Sequence, residues 1–254
     1  MASTSHSTQP ASMPRFGGVD ALRGFAVAMM IAYHLCYDLT WFGYANWRLL
    51  DDIRWIVWRN VIVTTFLFVV GLSLALRGAL RASERAFWMR WLQIAGAAAL
   101  VSVVTWVQFG PRFVYFGILH FIAAALLIGR LLRPLGIWNA VLGGIAIVAG
   151  VSWSDPSFTP RTLNWIGFSP TKPLTEDYVP LFPWLGVVLC GLAFGHAWRR
   201  RRFTAVPGLT ALHDALPAFV QHVLRFLGRY SLSIYLVHQP ILMGVLWLAK
   251  HATG

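Results

Sequence analysis

The chain has 254 residues, 57% of them hydrophobic and only 12% charged, with a mean hydropathy of +0.62. So little charge on so much apolar surface excludes an ordinary water-soluble domain and points to a chain that crosses a membrane several times. The net charge of +12 does not indicate a nucleic-acid partner, because the basic residues flank apolar runs and never gather into a compact basic domain.

Residues 1–16, MASTSHSTQPASMPRF, are rich in Ser, Thr and Pro and read as a disordered segment ahead of a single membrane domain over 17–254. They lack the apolar core of a signal peptide. The first apolar run is too long for one and no small-residue cleavage site follows it, so it is expected to stay as an uncleaved helix. Seven spans follow, each about 18–23 residues, the length that crosses ~30 Å of hydrocarbon. They lie near 19–41, 56–77, 87–108, 113–132, 135–153, 181–198 and 230–249. The fold class is therefore all-α, a polytopic helix bundle. The connection 154–180 carries five prolines and no periodicity, and a loop of that length is expected to be either functional or disordered. Segment 213–229, HDALPAFVQHVLRFLGR, is amphipathic and basic, and is expected on the membrane surface or within a loop.

Lys and Arg set the orientation. With the N-terminus inside, 14 of them fall on the cytoplasmic side and 7 outside, so N-in, C-out is favoured. Asp38, Asp51, Asp52, Asp155, Glu176 and Asp177 then lie on the outer side. Tryptophans near the span ends, Trp41, Trp55, Trp88, Trp106 and Trp153 among them, fit an interfacial belt. Cys36 and Cys190 both fall within spans, and no disulfide framework is implied.

The first span, VDALRGFAVAMMIAYH at 19–34, is unusual in carrying Asp20, Arg23 and His34. Arg23 and His34 are three helical turns apart, about 16 Å along the axis, and so share one face. Asp20, three residues before Arg23, and Asp38, four after His34, extend that face into a polar seam. An Asp20–Arg23 pair could simply anchor the helix. His34 lies deeper, where ionisable side chains face the protein interior and serve function by default. An unperturbed imidazole titrates near ~6.5 and suits general-base work or acyl carriage. Asp38, one turn on, is placed to orient its ring.

Further polar groups fall within later spans. His120 is a candidate substrate contact or second base. His238 precedes Gln239 and Pro240 and shares a face with Ser231 and Tyr235. Asn60 and Thr64 are candidates to line the inner side of the second span. In the long loop, Trp165, Glu176, Asp177 and Tyr178 offer the aromatic and acidic groups that contact sugars. No histidine sits in a metal-ligand pattern, so no metal is expected.

Five stretches together resemble one family. Asp20-x-x-Arg23-Gly24, with ten residues between Arg23 and His34, resembles the opening helix of transmembrane acyltransferases. TTFLFVVGLSLAL at 64–76 is similar to the family's second helix, and LGRYSLSIYLVHQPIL at 227–242 to its terminal helix. YFGILHFIA at 115–123 and EDYVPLFPWLGVVLCG at 176–191 resemble a bacterial branch of the heparan-alpha-glucosaminide N-acetyltransferase catalytic-domain family.

The resemblance implies a multi-pass enzyme of the bacterial inner membrane that moves an acetyl group from cytosolic acetyl-CoA to a sugar or other hydroxyl or amine. By position it gives His34 the role of catalytic histidine. Arg23, with Asp20 beside it, takes that of a support for the acyl donor. Donor phosphates call for Arg or Lys at the cytoplasmic face, where Arg77, Arg81 and Arg85 stand at helical spacing and Arg90 follows. Asp38, His120, His238, Trp165 and Tyr178 are the expected acceptor contacts. There is one departure: the lysosomal member's active histidine lies in a loop after its first helix, and here 42–55 contains no histidine. The alternative reading is a transporter that uses the same polar seam as a proton or solute path.

Overall fold

The computed structural model describes residues 17–79, 83–201 and 215–252. They are almost wholly helical, with no strand among them. In chain order the helices are α1 Gly17–Trp41, α2 Ile53–Ala79, α3 Glu84–Phe109, α4 Ile118–Leu132, α5 Asn139–Ser152, the short α6 Arg161–Asn164, α7 Leu181–Arg200, α8 Ala218–Arg229 and α9 Ser231–Ala252.

Six segments are long and apolar enough to cross a membrane. One of them, Ile118–Ser152, runs 35 residues, far more than one crossing needs. Gly136 at φ +60 adopts a left-handed turn that L side chains resist, and it divides the segment into α4 and α5. The fully buried Asn139 amide fastens that turn by donating to the Leu132 and Gly136 carbonyls. Seven apolar helices result, as the sequence predicts, but two of them are only 15 and 14 residues long.

Contacts along the helices fix their directions. Arg23 meets Ser73 and Tyr33 meets Trp58, so α1 and α2 run antiparallel. His34 faces His238 and Phe42 meets Lys250, so α1 and α9 run parallel. Gly17 and Lys250 therefore lie at opposite ends of the bundle. One end, here the arginine end, collects Arg23, Arg77, Arg90, Arg130, Arg199 and Arg200. Exposed apolar side chains such as Val107, Leu131, Val151 and Ile145 cover the perimeter. Exposed tryptophans ring it near the helix ends: Trp88 and Trp138 at the arginine end, Trp41, Trp106, Trp153 and Trp247 at the other.

The core lies where α2, α4 and α7 meet, around Leu67, Phe121, Val188 and Leu192. Small residues let α2 and α7 approach to backbone contact. A Cβ on Gly71 would lie 1.9 Å from the Val188 carbonyl oxygen, and one on Gly191 2.1 Å from that of Phe68. The amphipathic segment forms α8 and docks on the start of α1 rather than standing apart from the bundle. A Cβ on Gly24 would lie 1.8 Å from the Leu224 carbonyl oxygen.

Two features depart from the sequence reading. Asn60 and Thr64 do not face the interior. They are exposed, and with Val57, Val61 and Thr65 they line a shallow surface groove on the first half of α2. Leu67 and Gly71 continue the same face further along α2, and only there, over Phe68–Ala75, does α7 come into close contact with it. Nor does the sequence anticipate the course of the long loop: its last part turns inward alongside residues 112–117. Glu176 N–H bonds the Arg112 carbonyl, Thr175 Oγ1 the Phe113 carbonyl and Val179 N–H the Phe116 carbonyl. These bonds satisfy backbone that a helix would otherwise have to satisfy, which lets irregular chain descend among the helices. Helix α4 consequently begins inside the bundle, and Asp177 reaches its first turn.

Candidate active site

The first helix carries the predicted seam, and the structure gives Asp20, Arg23 and Asp38 polar partners and His34 a ring contact. Arg23 Nη1 bonds Asp20 Oδ1 at 2.9 Å and the Gly228 carbonyl at 3.3 Å, while Nη2 donates to Ser73 Oγ at 2.7 Å. The guanidinium thus links α1, α2 and the end of α8. An anchoring pair alone would not reach into the bundle in this way.

Arg23 and Ser73 open onto a cavity of about 120 Å³. Arg77 and Arg90 complete its cationic rim, Phe66, Val70, Leu74, Ile94 and Ile122 form its walls, and Ser231 and Tyr235 of α9 stand on one side. Three arginines with one acidic partner between them, Asp20, leave an excess of positive charge over an apolar chamber. Phosphate recognises such a rim, and an apolar thioester arm suits the walls behind it. Of the predicted donor residues, Arg77 lines this cavity. Arg85 is exposed and does not, and Arg81 lies outside the described residues. The sequence named Arg90 only as available; α3 turns it inward to the rim.

Deeper in the bundle, two histidines meet. The His34 ring packs edge-on against that of His238, centroids 4.9 Å apart. His238 Nδ1–H donates to the Tyr235 carbonyl at 2.7 Å, which leaves the lone pair of Nε2 buried with no partner. His34 itself makes no hydrogen bond among the described residues. The expected Asp38–His34 link does not form. Asp38 is fully buried and accepts instead from Gln239 Nε2 at 2.7 Å, tying α1 to α9. Neither histidine lines the arginine cavity. Tyr235 does, and its ring lies 5.7 Å from that of His238.

The remaining predicted residues use their hydrogen-bonding atoms within the fold. His120 Nδ1 accepts from Gly117 N–H and closes the turn before α4, while its Nε2 pairs with Ser102 Oγ of α3 at 3.0 Å. In the long loop, Trp165 Nε1–H donates to the Thr162 carbonyl, and Tyr178 donates its hydroxyl to the Asn164 carbonyl at 2.6 Å. Burial pushes the Tyr178 phenol up to about 12. The Trp165 ring packs on Phe116. No group of three or more His, Cys, Asp or Glu side chains that could hold a metal occurs among the described residues.

A family model described as heparan-alpha-glucosaminide N-acetyltransferase, catalytic, matches residues 15–240. The chain belongs to this family. The match takes in the arginine cavity, the histidine pair and the inward-turning loop, and makes the chain a member of a membrane acetyltransferase family. No curated protein and no solved structure matches it.

The sequence reached His34, Arg23 and His238 through helical spacing and the resemblance. It did not assign Tyr235 or Asp177 to one place, because the contact joins an irregular loop to a helix 58 residues later. The only available signal was that Tyr235 shares a helical face with His238.

Proposed function

We propose that the chain is an acetyltransferase of a bacterial inner membrane that transfers an acetyl group from acetyl-CoA to a hydroxyl or amine of a sugar. The observation that carries this reading is the arginine-rimmed apolar cavity, whose Tyr235 packs against His238 of the histidine pair, in a chain of this family. Acetyl-CoA docks from the cytoplasm. Its phosphates lie on Arg23, Arg77 and Arg90, and its thioester points toward Tyr235. The excess of Lys and Arg at the arginine end supports that orientation.

The acceptor approaches from the opposite face. His34 is its general base, taking the proton from the attacking hydroxyl or amine, and His238 confines the ring. The Trp165 and Tyr178 rings of the outer loop contribute apolar faces for the sugar. Asp38 and His120 act at one remove, by holding α9 and the turn before α4.

The test is acetyl-CoA binding and transfer by purified protein, with glucosamine as the probe acceptor. Loss of one charge-assisted phosphate contact is worth about 1.5–3 kcal/mol, so Arg90→Ala and Arg77→Ala should each weaken binding about 10–100-fold. Arg85→Ala should change it less than about twofold. His34→Ala should keep binding and slow transfer about 10²–10⁴-fold. Wild-type affinity in both cavity variants refutes the reading.

A further inference from the structure

The arginine cavity ends on Tyr235, and Tyr235 ends on a carboxyl group that the histidine chemistry does not use. Its hydroxyl lies 3.4 Å from Asp177 Oδ2. The same oxygen accepts Ile118 N–H at 2.9 Å, at the first turn of α4. Ile118 and Tyr235 both line the cavity. The carboxyl group is packed so closely that a Cβ on Gly117 would lie 2.2 Å from Oδ2. No Lys or Arg lies within ion-pair distance of Asp177 among the described residues; the ion pair of this loop is Arg112–Glu176. Tyr235 sits one helical turn from His238, on the arginine side of it.

An acid led this far into a helix bundle, with the Lys172 charge acting on it from beyond ion-pair distance, is costly and is retained for a purpose. Burial pushes the Asp177 carboxyl up from its ordinary value, so it carries a proton more readily than an exposed one.

We propose that Tyr235 is a second catalytic residue, the acid that protonates the departing CoA thiolate, and that Asp177 is the positioning residue that holds and reprotonates it. This rests on the acetyltransferase reading above. The assignment follows from location: Tyr235 faces the donor cavity, whereas His34 does not. When the acceptor attacks the thioester carbon, its bond to that carbon forms and its proton passes to His34. The carbon–sulfur bond breaks, and the Tyr235 hydroxyl proton goes to sulfur while the Asp177 proton moves onto the phenol oxygen. Between turnovers His34 releases one proton to water and Asp177 regains one. The net change is one acetyl group moved and one proton carried from acceptor to thiol.

The experiment compares two donors, acetyl-CoA and its selenoester analogue, on wild type, Tyr235→Phe and Asp177→Asn, with glucosamine as the acceptor. The two donors share every recognition element, but a selenolate is the weaker base and leaves without needing a proton. With acetyl-CoA, Tyr235→Phe should lower kcat about 10²-fold or more and leave donor affinity within about threefold, and Asp177→Asn should follow in the same direction. With the selenoester both deficits should shrink to within about threefold. Equal losses with the two donors, or a loss explained by weaker donor binding, overturn the proposal and leave the acetyltransferase reading standing. A wild-type protein that transfers from neither donor overturns both.

Discussion

Gly71 sits where α2 and α7 touch, and its replacement by Ala tests how the cavity is built. The new Cβ would lie 1.9 Å from the Val188 carbonyl oxygen and 2.8 Å from Leu192 N, both backbone atoms that cannot swing aside. Ordinary contact begins near 3.4 Å, so the two helices must separate by more than an ångström. Overpacking of this kind costs about 1–3 kcal/mol. The gain in helix propensity from Gly to Ala returns up to about 1 kcal/mol. With the full return, a net loss of roughly 0–2 kcal/mol remains, which lowers Tm by up to roughly 8 °C for a chain of this size.

The displacement also reaches function, because α2 carries Phe66, Val70, Ser73, Leu74 and Arg77 of the cavity. Thermal unfolding of purified protein in detergent, with and without acetyl-CoA, measures both effects. Gly96→Ala is the control: its Cβ would meet nothing within 4 Å, so only the propensity gain applies and Tm should hold or rise slightly. If Gly71→Ala proves as stable as Gly96→Ala, the α2–α7 backbone contact is not what shapes the cavity.

Further outcomes follow from the polar contacts. Gln239→Leu strips the buried Asp38 carboxyl of its one recorded donor and should cost about 1–3 kcal/mol, read as loss of thermal stability. The double variant Asp38→Leu with Gln239→Leu should be the more stable of the two, since no buried acceptor is then left unpaired. Asn164→Ala removes the acceptor of the Tyr115 hydroxyl and the donor to the Thr159 carbonyl. Amide exchange across 154–180 should then quicken by a factor corresponding to about 1–3 kcal/mol, while exchange in α2 and α7 stays unchanged. Unaltered exchange in the loop would show that Asn164 does not organise it.

Much of this protein was already determined by its sequence. Spans of apolar residues long enough for a bilayer must become helices there, because no other open chain satisfies its own backbone in hydrocarbon. Local spacing then placed Asp20, Arg23 and His34 on one side of α1, since a helix repeats faithfully over three turns. Family membership was also legible, carried by short stretches in a fixed order. Tertiary structure decided what those spacings could not. Asn60 and Thr64 stayed exposed although they share the helical face of Gly71, because the close α2–α7 contact runs over Phe68–Ala75, beyond them along the helix. Arg90 rather than Arg85 joined the cavity, since the packing of α3 on α4 chose which arginine faced in. Asp38 took Gln239 instead of His34, because a helix neighbour one turn away competes with a whole facing helix. Asp177 descended from a loop to meet Tyr235, a pairing that depends on irregular backbone bonded to irregular backbone, for which no periodicity exists to be read.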